Sequence, residues 1–286
     1  MHLDVTPVVR TWGRNEKTSY IFHSKPSDPS EPKKTLLANP FGFAEWFKAM
    51  TPPDTAFGEF FERRSLDYNR FLFDAKAETA PVLDQMPTYR KSRAVIALQL
   101  IKRWRNILYD RSWPNLRLPP SVLLAHYVAL SANRRNTLAD ELIHQVDVLR
   151  SIIGGAEADN HLVCAHNEMC REDIYTDRWP GDRLNQRIFL KELDGFAADL
   201  RLMRDGGLSL ADMLKVMERL FGEKPARDAY EGFIRQQRED LFAGKNVHIP
   251  KVGAIAALGS LAAPASARAT PYHTDFGDPE TGPVRR

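Results

Sequence analysis

One stretch of the chain, residues 93–130, constrains the fold more than any other. Its first part, residues 94–101, is apolar on nearly every side, which is typical of a helix that is buried all round. The sequence then becomes basic at residues 102–105 without leaving the helical phase. One face of this helix therefore carries Val95, Leu98, Lys102 and Arg105. Two interpretations are open: a core helix with a solvated basic end, or a helix that presents two cations to an anion.

A second helix is predicted directly after the first. Residues 119–121 read Pro-Pro-Ser, and an apolar segment follows at residues 122–130. Proline suits the first turn of a helix, because it lacks only an N–H that would have no partner there. The stretch therefore predicts two helices joined by a short proline-containing segment.

Composition excludes several kinds of protein. The 286 residues suffice for one large domain or two small ones. The 40 basic residues outnumber the 37 acidic ones too slightly to indicate nucleic-acid binding. Two cysteines make no disulfide framework, the first residues lack the features of a signal peptide, and the apolar run at 253–264 is too short to span a bilayer. We therefore expect a cytoplasmic protein with no membrane partner.

The junction of the two predicted helices resembles a known family. Residues 100–105 (Leu-Ile-Lys-Arg-Trp-Arg), followed by residues 118–121 (Leu-Pro-Pro-Ser), are similar to the spine-helix region of the bacterial cyclic GMP-AMP synthase-like nucleotidyltransferases, or CD-NTases. These enzymes make cyclic oligonucleotide signals in antiphage defence and are related to the oligoadenylate synthases. The resemblance implies that Lys102 contacts the triphosphate of the donor nucleotide and that Ser121 hydrogen-bonds to a phosphate oxygen. Nucleoside triphosphates are thus the implied partners, and regulatory proteins of the defence operon remain open as further ones.

The first residues match the same family. Apolar and polar residues alternate from His2 to Val9, which predicts a strand, and Ser19–His23 is a second candidate strand. Taken alone, Asp4 is a solvated strand residue. In the family, a strand of the form His-x-Asp-Val-x-Pro carries the third acidic residue of the catalytic trio, and residues 2–7 fit that form. The resemblance therefore implies that Asp4 is a catalytic carboxylate that binds Mg²⁺ or Mn²⁺.

An aromatic helix is predicted at residues 39–47. Asn39 and Pro40 precede Phe43, Trp46 and Phe47, which fall on one helical face. The segment also resembles a family pattern of the form Asp/Asn-Pro-x-Gly-Phe-x-x-Trp-Phe. We interpret it as a structural anchor; base stacking by the tryptophan is the functional alternative.

Helices are predicted over most of residues 90–242. Their apolar stripes cover residues 137–153, ended by Gly154-Gly155; 184–203, ended by Gly206-Gly207; a segment from Ser209 to Gly222; and a last helix from Pro225 to about Phe242. After residue 250 the sequence is rich in Ala, Gly, Pro and Ser, which favours a disordered tail.

These elements predict a mixed α+β fold that is mainly helical. Residues 1–89 are expected to form part of a nucleotidyltransferase sheet, packed on a helical domain at residues 90–249 with a long spine helix. Residues 250–286 form the expected tail.

Residues 167–180 provide another match and an alternative. They resemble a family segment of the form Asn-Pro-x-Cys-x-x-(acid)-x-x-Thr-Asp-Arg-Trp-Pro, although Glu168 stands where proline is usual. The same region contains residue types that bind zinc: His161, Cys164, His166 and Cys170. Their spacing is not that of a common zinc finger, so both a zinc site and buried cysteines remain open.

The sequence departs from the family in its catalytic motifs. The family carries Gly-Ser, then Asp-x-Asp, before the third carboxylate, whereas the only Gly-Ser here is Gly259-Ser260 with no Asp-x-Asp after it. We therefore expect a family member represented from its third catalytic strand onward. Asp4 alone cannot hold the two divalent ions of nucleotidyl transfer, so we expect these residues by themselves to be inactive.

A protein of another class remains possible. The basic residues around the predicted spine helix also fit a non-catalytic helical module that binds nucleic acid or another protein. These residues are spread over several faces, with no interleaved aromatic residue apart from Trp104, so nucleic acid is not the expected partner.

Overall fold

The computed structural model describes residues 8–10, 18–23, 34–55, 57–59, 91–242, 246–249 and 254–257. These residues form a mainly helical α+β fold with small antiparallel sheets, as predicted. The chain divides into two compact units, Met1–Lys224 and Pro225–Arg286. Among the described helices, none combines the length and the apolar character that crossing a membrane requires.

Three strands form an antiparallel sheet in the first unit: β1 (Val8–Arg10), β2 (Ser19–His23) and β3 (Lys34–Ala38), in that order. β2 confirms the strand predicted at the same residues. The strand predicted for residues 2–9 is observed as β1, and its earlier part, which includes Asp4, lies outside the described residues.

Seven helices have defined bounds in the described part of the chain. They are α1 (Pro40–Met50), α2 (Arg93–Ser112), α3 (Ser121–Ser131), α4 (Leu138–Ala158), α5 (Arg183–Arg204), α6 (Leu210–Phe221) and α7 (Glu223–Phe242). A hairpin of β4 (His166–Asn167) and β5 (Cys170–Ile174) lies between α4 and α5. The predicted spine helix, the helix that follows it, the aromatic helix and the four helices predicted between residues 137 and 242 are thus confirmed.

The spine helix α2 lies at the centre of the first unit. It packs against α3, α4 and α6, and its Trp104 ring stacks on Phe196 of α5 with 4.3 Å between ring centroids. Phe189 also packs against Trp104, with 6.0 Å between ring centroids, and both phenylalanines are almost completely buried. Burial of large aromatic rings is a major source of stability, so this contact fixes α5 on the spine helix.

The prediction that Gly154-Gly155 ends α4 is wrong. The helix continues to Ala158, and Ala156 is buried in the core. Glu157, in the added turn, accepts hydrogen bonds from Arg183 and Arg187 of α5. A helical glycine costs only about 1 kcal/mol relative to alanine, so these tertiary contacts outweigh it.

The prediction of disorder from residue 250 onward does not hold for Ala254–Ala257. This segment is strand β7 and pairs with β6 (Asn246–Ile249) in an antiparallel hairpin of the second unit. The backbone pairing with β6 therefore outweighs the low strand preference of the three alanines in this segment. The remainder of the predicted tail lies outside the described residues.

Two glycines give opposite predictions for stability. A Cβ atom on Gly42 would lie 2.6 Å from Nδ2 of Asn39, whose side chain is completely buried and hydrogen-bonded. We expect Gly42→Ala to lower the free energy of unfolding by about 1–3 kcal/mol, because the pinned amide cannot move aside. Gly155 has no atom within 4 Å of the same added group, so Gly155→Ala should be neutral or stabilise by up to about 1 kcal/mol. Urea denaturation of both variants measures the difference, and equal effects would contradict the packing described at Gly42.

Candidate functional site

The middle of the spine helix brings together the residues that the sequence singled out. Lys102 and Arg105 are three residues apart on α2, so they share a helix face. Arg105 reaches the start of α3, where Nη2 donates a hydrogen bond of 3.1 Å to Oγ of Ser121. Lys102 and Ser121 therefore both neighbour one side chain, that of Arg105.

Arg105 is buried, which the sequence did not predict. Its side chain is 3% exposed, and burial lowers the pKa of its guanidinium to about 10. It donates hydrogen bonds to the carbonyl oxygen of Pro119 at 2.5 Å and to Oδ1 of Asn106 at 2.7 Å. The prediction of two cations presented where the helix leaves the core is thus wrong for Arg105, because the Pro119–Ser121 segment folds over it.

Lys102 is half-buried rather than in open solvent. Burial lowers the pKa of its ammonium, and the positive charge of Arg105 adds to this shift. Two cations that are close together and partly desolvated raise the local positive potential. The arrangement therefore favours an anion beside this part of α2.

The start of α3 adds to the same positive region. Five described helices have a side-chain cap, in which the oxygen accepts a bond from the backbone N–H three residues further on: Asn39, Ser92, Thr137, Asp182 and Ser209. The residue before α3 is Pro120, which provides no such acceptor. The first amide groups of α3 thus have no side-chain cap, and the positive end of the helix dipole lies beside Ser121.

Hydrogen bonds join two further segments that resemble the family, residues 39–47 and 167–180. The backbone N–H of Asn39 donates to Oδ2 of Asp173 at 3.2 Å, and the side chain of Asn167 donates to the same carboxylate oxygen at 2.9 Å. Nδ2 of Asn167 also donates to the carbonyl oxygen of Asn39 at 3.0 Å. These contacts join the start of α1 to the β4–β5 hairpin, so both segments have a structural role in the first unit.

The aromatic face of α1 packs within the protein. Phe43 and Phe47 contact the hydrophobic core, and the Trp46 ring stacks on His126 with 5.5 Å between centroids. Burial lowers the pKa of His126, which favours its neutral form against the indole ring. This agrees with the structural interpretation of the aromatic helix.

The described residues contain no group of three or more His, Cys, Asp or Glu side chains that could hold a metal ion. The zinc interpretation of His161, Cys164, His166 and Cys170 is therefore not supported. Cys170 is buried and Cys164 is exposed. Asp4 lies outside the described residues, so its role as a metal ligand remains a prediction.

A separate cavity of about 230 Å³ lies between α2, α5 and α6. Two of its charged groups are already paired, because Nη2 of Arg219 lies 2.8 Å from Oδ2 of Asp199. Glu192 accepts a hydrogen bond from Nε1 of Trp113 at 3.2 Å. Neither Lys102 nor Ser121 lines this cavity.

The fold is that of a nucleotidyltransferase class already represented by a solved structure. The structure of the Bradyrhizobium diazoefficiens CD-NTase CdnG in complex with GTP matches 82% of this chain and 64% of its own, with a TM-score of 0.64 and 27% sequence identity. The cyclic dinucleotide synthase CdnG of the same organism is 30% identical over an alignment 291 residues long. The alignment covers 97% of this chain and 67% of that protein. No protein-family model matches the sequence.

The chain therefore belongs to the CD-NTase family, which confirms the resemblance inferred from the sequence. It spans about two thirds of the length of the relatives that it matches.

Proposed function

We propose that the chain is the nucleotide-binding part of a nucleotidyltransferase of the cyclic-oligonucleotide synthase type, which makes a signal in antiphage defence. The observation that carries this proposal is the convergence of Lys102 and Ser121 on Arg105 at the middle of the spine helix. The family membership supports it, as do the relative named as a cyclic dinucleotide synthase and the related structure that contains GTP. Nucleoside triphosphates are the proposed substrates.

Each residue has a defined task in this proposal. The ammonium group of Lys102 binds the triphosphate as a point charge, and the hydroxyl group of Ser121 donates a hydrogen bond to a phosphate oxygen. The uncapped amide groups of α3 favour negative charge at the same place. When bound, Mg²⁺ or Mn²⁺ neutralises charge on the phosphates, and Asp4 is the residue expected to hold it.

Lys102→Ala is expected to weaken GTP and ATP binding by about 1–3 kcal/mol, roughly 5- to 150-fold in Kd, because a charge-assisted contact is lost. Titration with fluorescently labelled GTP in the presence of Mg²⁺ measures this. Lys215→Ala is the matched control, since Lys215 on α6 is 75% exposed and, among the described residues, pairs with the neighbouring carboxylate of Asp212. Equal affinities of the two variants would contradict the proposed site.

The alternative function, a non-catalytic helical module that binds nucleic acid or protein, is less well supported. Three of the basic residues on the spine helix are not free to form a basic surface. Arg93 pairs with Asp54, Arg103 donates a hydrogen bond to the carbonyl oxygen of Phe221, and Arg105 is buried. Anisotropy measurements with single-stranded RNA distinguish the two functions. RNA binding that is tighter than GTP binding and insensitive to Lys102→Ala would favour the module.

A further inference from the structure

We infer that Arg105 is a positioning residue that prepares the Ser121 hydroxyl group to donate to a phosphate. This inference rests on the proposed function, since it assigns a role within the same site. It concerns a residue that acts through Ser121 and does not itself touch the substrate.

The hydrogen bonds of Arg105 hold the chain both before and after Pro120. Arg105 projects from the middle of the spine helix, and its guanidinium contacts the carbonyl oxygen of Pro119, the side chain of Asn106 and Oγ of Ser121. Pro119 and Ser121, which supply two of these acceptors, lie on either side of Pro120 in the sequence. The planar guanidinium of Arg105 therefore bridges the segment that leads into α3. The backbone before α3 is thereby fixed relative to Lys102, one helical turn away.

The hydrogen bond from Arg105 also determines whether the Ser121 hydroxyl group can donate to a ligand. Oγ accepts a hydrogen bond from Nη2 of Arg105, so one lone pair of the oxygen is occupied by the guanidinium. Among the described residues no acceptor for the hydroxyl proton of Ser121 is found. Its O–H therefore remains available as a donor, which is the polarity that a phosphate oxygen requires.

The charge of Arg105 also favours the binding of an anion next to Ser121. All of its hydrogen-bond acceptors are neutral oxygens, and no carboxylate of the described residues forms an ion pair with it. A buried cation without a counter-ion is unfavourable, because its desolvation is not offset by an opposite charge. A triphosphate held by Lys102 and Ser121 would bring negative charge close to this buried cation. Arg105 thus both orients the serine and gains stability when the anion binds.

A double-mutant cycle tests this inference in the whole chain. GTP binding is measured for the wild type, Arg105→Lys, Ser121→Ala and the double variant, with circular dichroism and thermal melting as checks on folding. Each single variant is expected to raise the Kd for GTP roughly tenfold, since each removes a hydrogen bond that involves a charged group. Because Arg105 acts through Ser121, Arg105→Lys should add less than about threefold when Ser121 is already alanine.

The results separate a positioning role from a structural one. An effect of Arg105→Lys that is equally large in both backgrounds, or absent in the wild-type background, overturns the inference. If Arg105→Lys does not fold, Asn106→Ala replaces it, since this exposed side chain accepts two bonds from the guanidinium and its removal leaves the core unchanged. Asn106→Ala should raise the Kd for GTP less than Arg105→Lys does, and this effect should also shrink when Ser121 is alanine. An effect of Asn106→Ala that is the same with and without Ser121 overturns the inference.

The same titrations distinguish this inference from the proposed function. If Lys102→Ala weakens GTP binding whereas the Arg105 and Asn106 variants bind like the wild type, the function stands and the positioning role fails. If the wild type binds neither GTP nor ATP, the proposed function fails, and the positioning role fails with it.

Discussion

A protein that consists of residues 1–286 is expected to form no detectable cyclic dinucleotide from the four ribonucleoside triphosphates with Mg²⁺ or Mn²⁺. Transfer through two divalent ions needs several carboxylates, because two neighbouring cations repel unless bridging negative charges compensate. The family motifs assign this task to Asp4 alone among these residues. Loss of the electrostatic stabilisation should reduce the rate by on the order of a thousandfold or more.

Chromatography of the products, together with a pyrophosphate assay, measures this result. The Bradyrhizobium diazoefficiens CdnG protein, assayed under the same conditions, is the positive control for product detection. Product from the wild-type chain that disappears in Asp4→Ala would contradict the prediction. It would show that further carboxylates, from elsewhere in the chain or from a second copy, complete the metal site.

Phe196→Ala is expected to lower the free energy of unfolding by about 3–5 kcal/mol. The Phe196 side chain is 1% exposed and stacks on Trp104 at an interplanar angle of 6°, and its ring also meets Phe221 at 6.1 Å. Truncation removes the transfer free energy of the ring and leaves a cavity that the helices around it cannot fill. The spine helix would lose its main aromatic contact with α5.

Urea denaturation compares this variant with Leu184→Ala on the same helix. Leu184 is 64% exposed, so its replacement should change the free energy of unfolding by no more than about 0.5 kcal/mol. If Phe196→Ala cost no more than Leu184→Ala, the central position of the Trp104–Phe196 stack would be incorrect.

Periodicity predicted most of the helical fold from the sequence. The apolar stripe predicted for α4 is buried at Leu142, Val146 and Leu149, and Ser209, where the sequence predicts the start of a helix, caps α6. Apolar residues at helical spacing can be recognised in a sequence because burial of one face drives the packing of a helix.

The failures have a common physical cause. A glycine pair predicts a helix end from local propensity, but contacts from another helix carried α4 past Gly154 and Gly155. In the same way, helical spacing placed Arg105 on the face of Lys102 but could not show that the Pro119 carbonyl oxygen would cover it. Both errors concern long-range contacts, which no local pattern contains.

The site residues Lys102 and Ser121 remain predictions from the resemblance. The sequence did not predict that Arg105, three residues from Lys102, would be buried and donate a hydrogen bond to Ser121. The signal that could have revealed Arg105 is its i,i+3 spacing from Lys102, read together with the adjacent Pro-Pro-Ser segment.

The most direct test of nucleotide binding at Lys102 and Ser121 is a crystal structure of the chain grown or soaked with GTP. We expect phosphate oxygens within hydrogen-bond distance of Nζ of Lys102 and Oγ of Ser121, with the Arg105–Ser121 hydrogen bond retained. GTP bound elsewhere on the chain, with its phosphates remote from both residues, would contradict this nucleotide site.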